Sequence, residues 1–198
     1  MNRYLRTNLL FLAMLLFPAT AFACEEYKSH STAELKEYRD KLAEAEADPL
    51  DRLFAFEELA CSDRPTVRAY AIRVGLSAAK DDLVRQQIMF EAMMQKERLD
   101  IELAGEGSLS KEAKEFIRTR AGLWSERAEY RSRESGCISL NSNSACRRSQ
   151  SIYLKGDKAE LNYNDLVGSF ELTSSGELVG FIRPGRNYPR IPAVIKLF

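Results

Sequence analysis

Four cysteines, Cys24, Cys61, Cys137 and Cys146, are the residues of this 198-residue chain best placed for covalent chemistry. Metal ligation, nucleophilic attack and disulfide formation are the three options. A zinc site wants close pairs such as C-x-x-C, with cysteine or histidine partners. No such spacing occurs, and His30 is the only histidine, so no metal or other cofactor is expected. A nucleophilic cysteine needs a nearby base and a free thiolate. An even set of cysteines in an exported chain pairs instead. Proximity favours Cys137 with Cys146, across the polar stretch ISLNSNSA, and leaves Cys24 with Cys61. Four cysteines allow three pairings, and spacing alone does not choose among them.

Other catalytic constellations are missing. The chain has no G-x-S-x-G elbow, H-E-x-x-H, Walker loop or G-x-G-x-x-G. His30, between Ser29 and Ser31, reads as a flexible surface histidine rather than an oriented general base. Carboxylates are numerous, and an acid pair across a cleft could hydrolyse a glycoside. Glu57 and Glu58, beside Phe54, Phe56 and Leu59, are the acids expected to be partly buried, as part of a helix surface. The stretch FIRPGRNYPRIP looks more like an interaction surface. Arg183, Arg186, Tyr188 and Arg190 place positive charge and an aromatic ring on a Pro/Gly-stiffened turn. Arginine and tyrosine are enriched where proteins bind proteins. The expectation is a binding protein rather than an enzyme.

The N-terminus bears on where such a protein works. Arg3 and Arg6 precede the apolar run LLFLAMLLF, Pro18 breaks it, and Ala21-Phe22-Ala23 offers small residues for signal peptidase. A spanning helix needs roughly 20 apolar residues, about twice this run. Residues 1–23 therefore read as a signal peptide cleaved after Ala23, with no membrane span in the mature chain. Lipid attachment at Cys24 is the rival reading, and bulky Phe22 fits it poorly. Basic and acidic residues balance at 29 each, which argues against a nucleic-acid partner. The acids concentrate between Glu25 and Glu102. The arginines Arg118, Arg120, Arg127, Arg131, Arg133, Arg147 and Arg148 make the next stretch basic. Such runs are solvated faces, or a basic face for an acidic partner.

The elements that must position these residues fall into two regions, 24–134 helical and 135–198 strand-rich. Ser31-Thr32-Ala33-Glu34 is a capping box. Asp48-Pro49 opens a second helix, with Leu50, Leu53, Phe54 and Leu59 apolar. Asp63, Arg64 and Pro65 repeat the device for a third. Asp81 or Asp82 starts a fourth, which the pattern carries to about Leu103. After the glycine break AGEGSLS, a long helix is expected from about Lys111 to Arg133, with Phe116, Ile117, Leu123, Trp124 and Tyr130 on its apolar side. Beyond Cys137 the pattern alternates. LVGSFELTSSGELVGFI reads as a hairpin about Ser174-Ser175-Gly176, with Gly168 and Gly180 marking bulges or close packing. AVIKLF is a last strand. A small antiparallel sheet of about four to six strands, packed on the long helix, completes an α+β fold.

The stretch SDRPTVRAYAIRVGLSAAKDDLV resembles a HEAT-type helical repeat at Asp63, Pro65, Val67, Arg68, Ala71, Ile72, Gly75, Asp82 and Val84. ADPLDRLFAFEEL echoes its opening. The resemblance covers Asp48 to about Met94 and implies stacked helix pairs that bind other proteins. In it, Arg68 and Asp63 or Asp82 are structural. Such stacks need three or more units and only one and part of another occur here, so a compact bundle with HEAT-like helix pairs is expected. The functional expectation is an exported, periplasmic protein-binding protein, such as an inhibitor or immunity-type protein against a cell-wall hydrolase or toxin. The alternatives are an envelope hydrolase that uses carboxylates and an outer-membrane lipoprotein assembly factor.

Overall fold

The computed structural model describes residues 24, 26–44, 46–105 and 109–198. The expected signal peptide and its cleavage site at Ala23 lie outside the described residues. The protein is α+β, with helices first and a curled antiparallel sheet after. Four helices lead: α1 (Thr32–Ala43), α2 (Pro49–Ala60), α3 (Pro65–Ala78) and α4 (Asp82–Gln95). Their starts follow from local chemistry. Ser31 and Glu34 form the reciprocal capping box of α1. Asp48 accepts from the backbone of Leu50 at the head of α2, with Pro49 in the first turn. Asp81, not Asp82, caps α4 through the Val84 amide. The start of α3 differs from the expected capped one: Arg64 holds the N-cap position and no side chain caps it, leaving Pro65 in the first turn. Arg68 is structural, donating to the Ser62 carbonyl at 2.8 Å and lying over the Tyr27 ring.

The face that α2 buries differs from the expected one. Leu50 and Phe54 are more than half exposed, whereas Arg52, Ala55, Phe56, Leu59 and Ala60 are buried. Phe56 and Leu59 fix the inward side, and Leu50 and Phe54 fall outside it. Arg52 is tolerated there because its guanidinium donates to the Glu44 carbonyl.

The fourth helix ends at Gln95, before the expected Leu103, and Arg98–Leu103 is strand β1. Its exposure alternates, with Leu99, Ile101 and Leu103 inward. The long helix expected from Lys111 to Arg133 is also corrected. Helix α5 spans only Lys111–Thr119 and is followed by β2 (Leu123–Arg127) and β3 (Tyr130–Ser132). Ala121 and Gly122 have φ of 49° and 76°, the left-handed turn that closes a helix. Trp124 is thus on a strand, where it remains a buried packing residue. Strands β4 (Cys137–Ser139), β5 (Gln150–Lys155), β6 (Lys158–Tyr163), β7 (Leu166–Leu172), β8 (Glu177–Arg183) and β9 (Ile191–Lys196) complete the sheet. These six match the expected number after residue 135, and β7–β8 is the expected hairpin. The other three come from residues that helical spacing had claimed.

Every pairing is antiparallel, in the order β2-β1-β9-β8-β7-β6-β5-β4-β3. The two outermost strands, β2 and β3, are separated in the chain only by Ala128 and Glu129. Ala128 still donates to Glu97 beside β1, and Glu129 already donates to Ser139 of β4, each at 2.9 Å. One bent segment therefore serves both edges, and the sheet curls until they meet. Strands β2 and β6 are five places apart in the order, about 24 Å in a flat sheet. Yet Trp124 and Tyr163 stack edge-on with ring centroids 5.5 Å apart.

Register sends one apolar set inward, including Ile101, Ile138, Ile152, Leu161, Phe170, Ile182 and Ile195, all buried. Gly168 and Gly180 serve close packing. A Cβ on Gly168 would meet the Phe170 ring at 2.9 Å, and one on Gly180 would fall onto the Ser169 carbonyl.

One end of the curl is closed by α3 and α4. Arg85 donates to the carbonyls of Leu76 (2.6 Å) and Thr173, joining the end of α3 to the β7–β8 turn. Arg131 donates to the Lys96 carbonyl. Arg133, at the β3–β4 turn, holds both oxygens of the buried Glu91 of α4 at 2.7 and 2.9 Å. A single cluster of buried residues runs from Leu42 and Phe56 through Met89 and Met93 to Ile152 and Ile195.

Burial holds the Glu91 carboxyl above its ordinary range, and Arg133 opposes the rise. An acid whose folded pKa is raised binds its proton more tightly in the folded state. Its contribution therefore falls as pH climbs from the ordinary carboxylate range through the raised value. Arg133→Met would leave the buried Glu91 without a charged partner, with only the Gln87 amide donating to it at 3.3 Å, lowering stability by about 3 kcal/mol at neutral pH. The deficit should shrink at mildly acidic pH, where Glu91 takes up a proton. Denaturant melts at both pH values check this, and an equal loss at both would contradict it.

Candidate functional site

Inward positions are filled with apolar side chains, so chemistry is left to the outer face and the two ends. On the outer face, neighbouring strands place Tyr153, Glu160, Ser169 and Phe181 side by side on β5, β6, β7 and β8. The next row brings Asn162, Val167 and Arg183 together. Arg148 reaches this surface from the β4–β5 loop and Arg190 from the β8–β9 loop. Together they line a groove of about 580 Å³.

Three guanidiniums and one carboxylate line this groove. The Arg190 guanidinium lies over the Phe181 ring, 4.3 Å from its centre. Arg183 is partly buried, and its Nε is shielded from water without an acceptor among the described residues. An unmet buried donor costs about 1–3 kcal/mol. Glu160 is engaged, accepting from Ser169 Oγ at 2.9 Å. The arginine ion pairs among the described residues involve Arg39, Arg118, Arg127 and Arg133, and none of the groove's arginines.

The loop expected to bind partners is split by the fold. Arg183 and Arg190 enter the groove. Arg186 is exposed on the loop between them, outside the groove. Tyr188, also exposed, closes a turn by donating to the Gly185 carbonyl at 3.1 Å. It faces a separate hollow against α5, lined by Glu112, Glu115, Phe116, Arg120 and Pro184. Arg148, Tyr153, Glu160 and Ser169 were missed as site residues. Alternation in β5 and β7 marks Tyr153 and Ser169 as outward-facing, but pattern alone does not say which strands are neighbours.

The disulfides are Cys24–Cys61 and Cys137–Cys146. The first ties the residue after the expected cleavage site to the end of α2. Nearby, Lys28 and Ser62 form an isolated bridge. The second anchors the loop that carries Arg148 to β4, where Ser139 Oγ accepts from the Ser142 amide at 3.2 Å. His30 is corrected from a flexible position. Its side chain is 8% exposed, 3.3 Å from Glu58 and edge-on to Tyr38.

Glu57 and Glu58 are both partly buried. Glu58 pairs with Lys28 at 2.7 Å. The Glu57 carboxyl is pushed up by burial first, then by the charges of Glu91 and Glu58. A second polar hollow holds Glu126, Glu129 and Tyr163 near the Asn141–Ser144 loop. Burial, then the Glu126 charge, raises the Tyr163 hydroxyl. Glu129 lies 3.8 Å from Arg127.

Among the described residues no cluster of His, Cys, Asp or Glu is arranged to hold a metal ion. No described helix is long and apolar enough to cross a membrane. In comparison with known proteins, no family model, curated protein or solved structure matches this chain. The HEAT-type likeness of residues 48–94 therefore rests on its local residues alone.

Removing the Cys137–Cys146 link by paired serine substitution should lower stability by about 2–4 kcal/mol. It should also free Arg148 from the groove. Chemical melts and the loop's amide resonances check both, and an unchanged loop spectrum would contradict the second.

Proposed function

We propose that this is an exported, periplasmic protein that works by binding another protein through the arginine groove. An inhibitor or immunity-type protein against a cell-wall hydrolase or toxin is the form that best fits these features. The observation that carries the reading is the groove itself. It holds three arginines without ion-pair partners among the described residues, on a sheet that register and a disulfide hold in place. Arg148 and Arg190 are exposed to solvent, while the shielded Arg183 Nε lacks an acceptor that a partner could supply. Two disulfides are compatible with export, because such bonds persist in oxidising compartments. The signal-like start of the sequence supports the same compartment. A partner met through arginines is acidic at the contact, and its association weakens with salt.

The test is affinity capture from envelope extract with the chain from Cys24 onward, under non-reducing conditions. A discrete protein should be retained at low salt and released as salt is raised. If nothing is retained beyond an unrelated control chain, the binding reading is wrong.

A further inference from the structure

The groove has a shape and a charge pattern that narrow what it holds. It runs across strands β5 to β8, three inter-strand gaps or about 15 Å. An extended peptide covers about 3.3 Å per residue, so about four residues fit. Charge is uneven along it. Arg190 stacks on Phe181 at one side, while Glu160 stands two strands away, about 10 Å off. The Phe181 ring restrains the Arg190 guanidinium that lies over it, and a planar guanidinium fork suits a carboxylate. Arg183, the next outward-facing residue of β8 after Phe181, adds a second guanidinium whose shielded Nε has no acceptor among the described residues. Three positive groups and one negative group spread over this length suit a chain of single charges. A compact phosphate would fill only the arginine side of the groove and leave the Glu160–Ser169 side, about 10 Å away, without a partner.

Resting on the binding-protein reading above, we propose that the groove seats an acidic peptide segment of the partner. One carboxylate side chain is held between Arg183 and Arg190, and Arg148 adds charge at the groove wall. The Glu160–Ser169 pair meets a hydroxyl or ammonium group further along the segment.

The test uses three probes: a blocked tetraglutamate peptide, its tetraglutamine counterpart and inorganic phosphate. Binding is read by calorimetry at low ionic strength and by the Arg183 Nε–H resonance. Tetraglutamate should bind and shift that resonance. Tetraglutamine should not bind, and phosphate should bind more weakly than tetraglutamate. Arg190→Gln and Arg183→Gln should each weaken tetraglutamate binding about tenfold, as loss of a charge-assisted pair does. Glu160→Gln should strengthen it, and Arg186→Ala should leave it unchanged. Arg190 and Glu160 are exposed, so their variants keep the test intact if Arg183→Gln fails to fold.

The proposal is overturned if both peptides bind equally, if neither binds, or if phosphate is preferred. Any of these, with an envelope protein still captured, removes the acidic-segment claim and leaves the binding reading standing. Tetraglutamate binding without any captured protein keeps the groove's preference for acidic chains and removes the protein-partner reading.

Discussion

The structure depends on one segment, Leu123 to Ser132, supplying both edges of a nine-stranded sheet. Its first half pairs with β1 and its second half with β4. The change of partner occurs at Ala128 and Glu129, whose amides donate to Glu97 and Ser139. An open sheet of this size would present two rows of unpaired backbone groups and one apolar face to water. Curling takes the apolar face out of water and brings the two edges into one bent segment. The apolar face becomes an interior, and the two edge strands, β2 paired with β1 and β3 with β4, are consecutive parts of one stretch of chain. The tight approach at Gly180, where no side chain fits against Ser169, belongs to this curvature.

The closed curl also decides where function can reside. Its interior is filled by Ile, Leu, Phe and Trp side chains. One end is tied to the helical bundle through Arg85, Arg131 and the Glu91–Arg133 pair. The other end carries α5, the loop anchored by Cys137–Cys146, and the Pro184–Arg190 loop. What remains is the outer face, where polar side chains mix with Tyr153, Val167 and Phe181 and register sets their neighbours. The groove arises there because three adjacent hairpins align Tyr153, Glu160, Ser169 and Phe181, and two loops lean arginines over them. Its rigidity is that of the backbone ladder beneath it.

Much of the local chemistry was legible from residue types. The Ser31 capping box, the Asp48-Pro49 start and the β7–β8 hairpin are written in short motifs that act over a few residues. So is the change to strands after Cys137. The misread stretches share one cause. Leu99, Ile101 and Leu103 alternate with Arg98, Asp100 and Glu102, a clear period of two, but they adjoin a strongly helical run. Leu123 and Trp124 continue the helical spacing of Phe116 and Ile117 past Gly122, which ends the helix. In both cases a spacing-based reading overran a boundary set by the backbone. The groove was only half visible. Arg183 and Arg190 stand out as a charged loop, whereas Glu160, Ser169 and Arg148 join them through long-range pairing that no local pattern encodes. Glu91 is similar, because its burial is set by a turn 42 residues away.

Native-state amide hydrogen exchange at Ala128 and Glu129 tests the closed curl most directly. These amides sit where two edges would lie in an open sheet. If one bent strand closes the sheet, both should exchange as slowly as the amides of Phe170 and Ile182 in the central strands. Rapid exchange at both positions, with the central strands still protected, would mean the edges are open and would contradict the account.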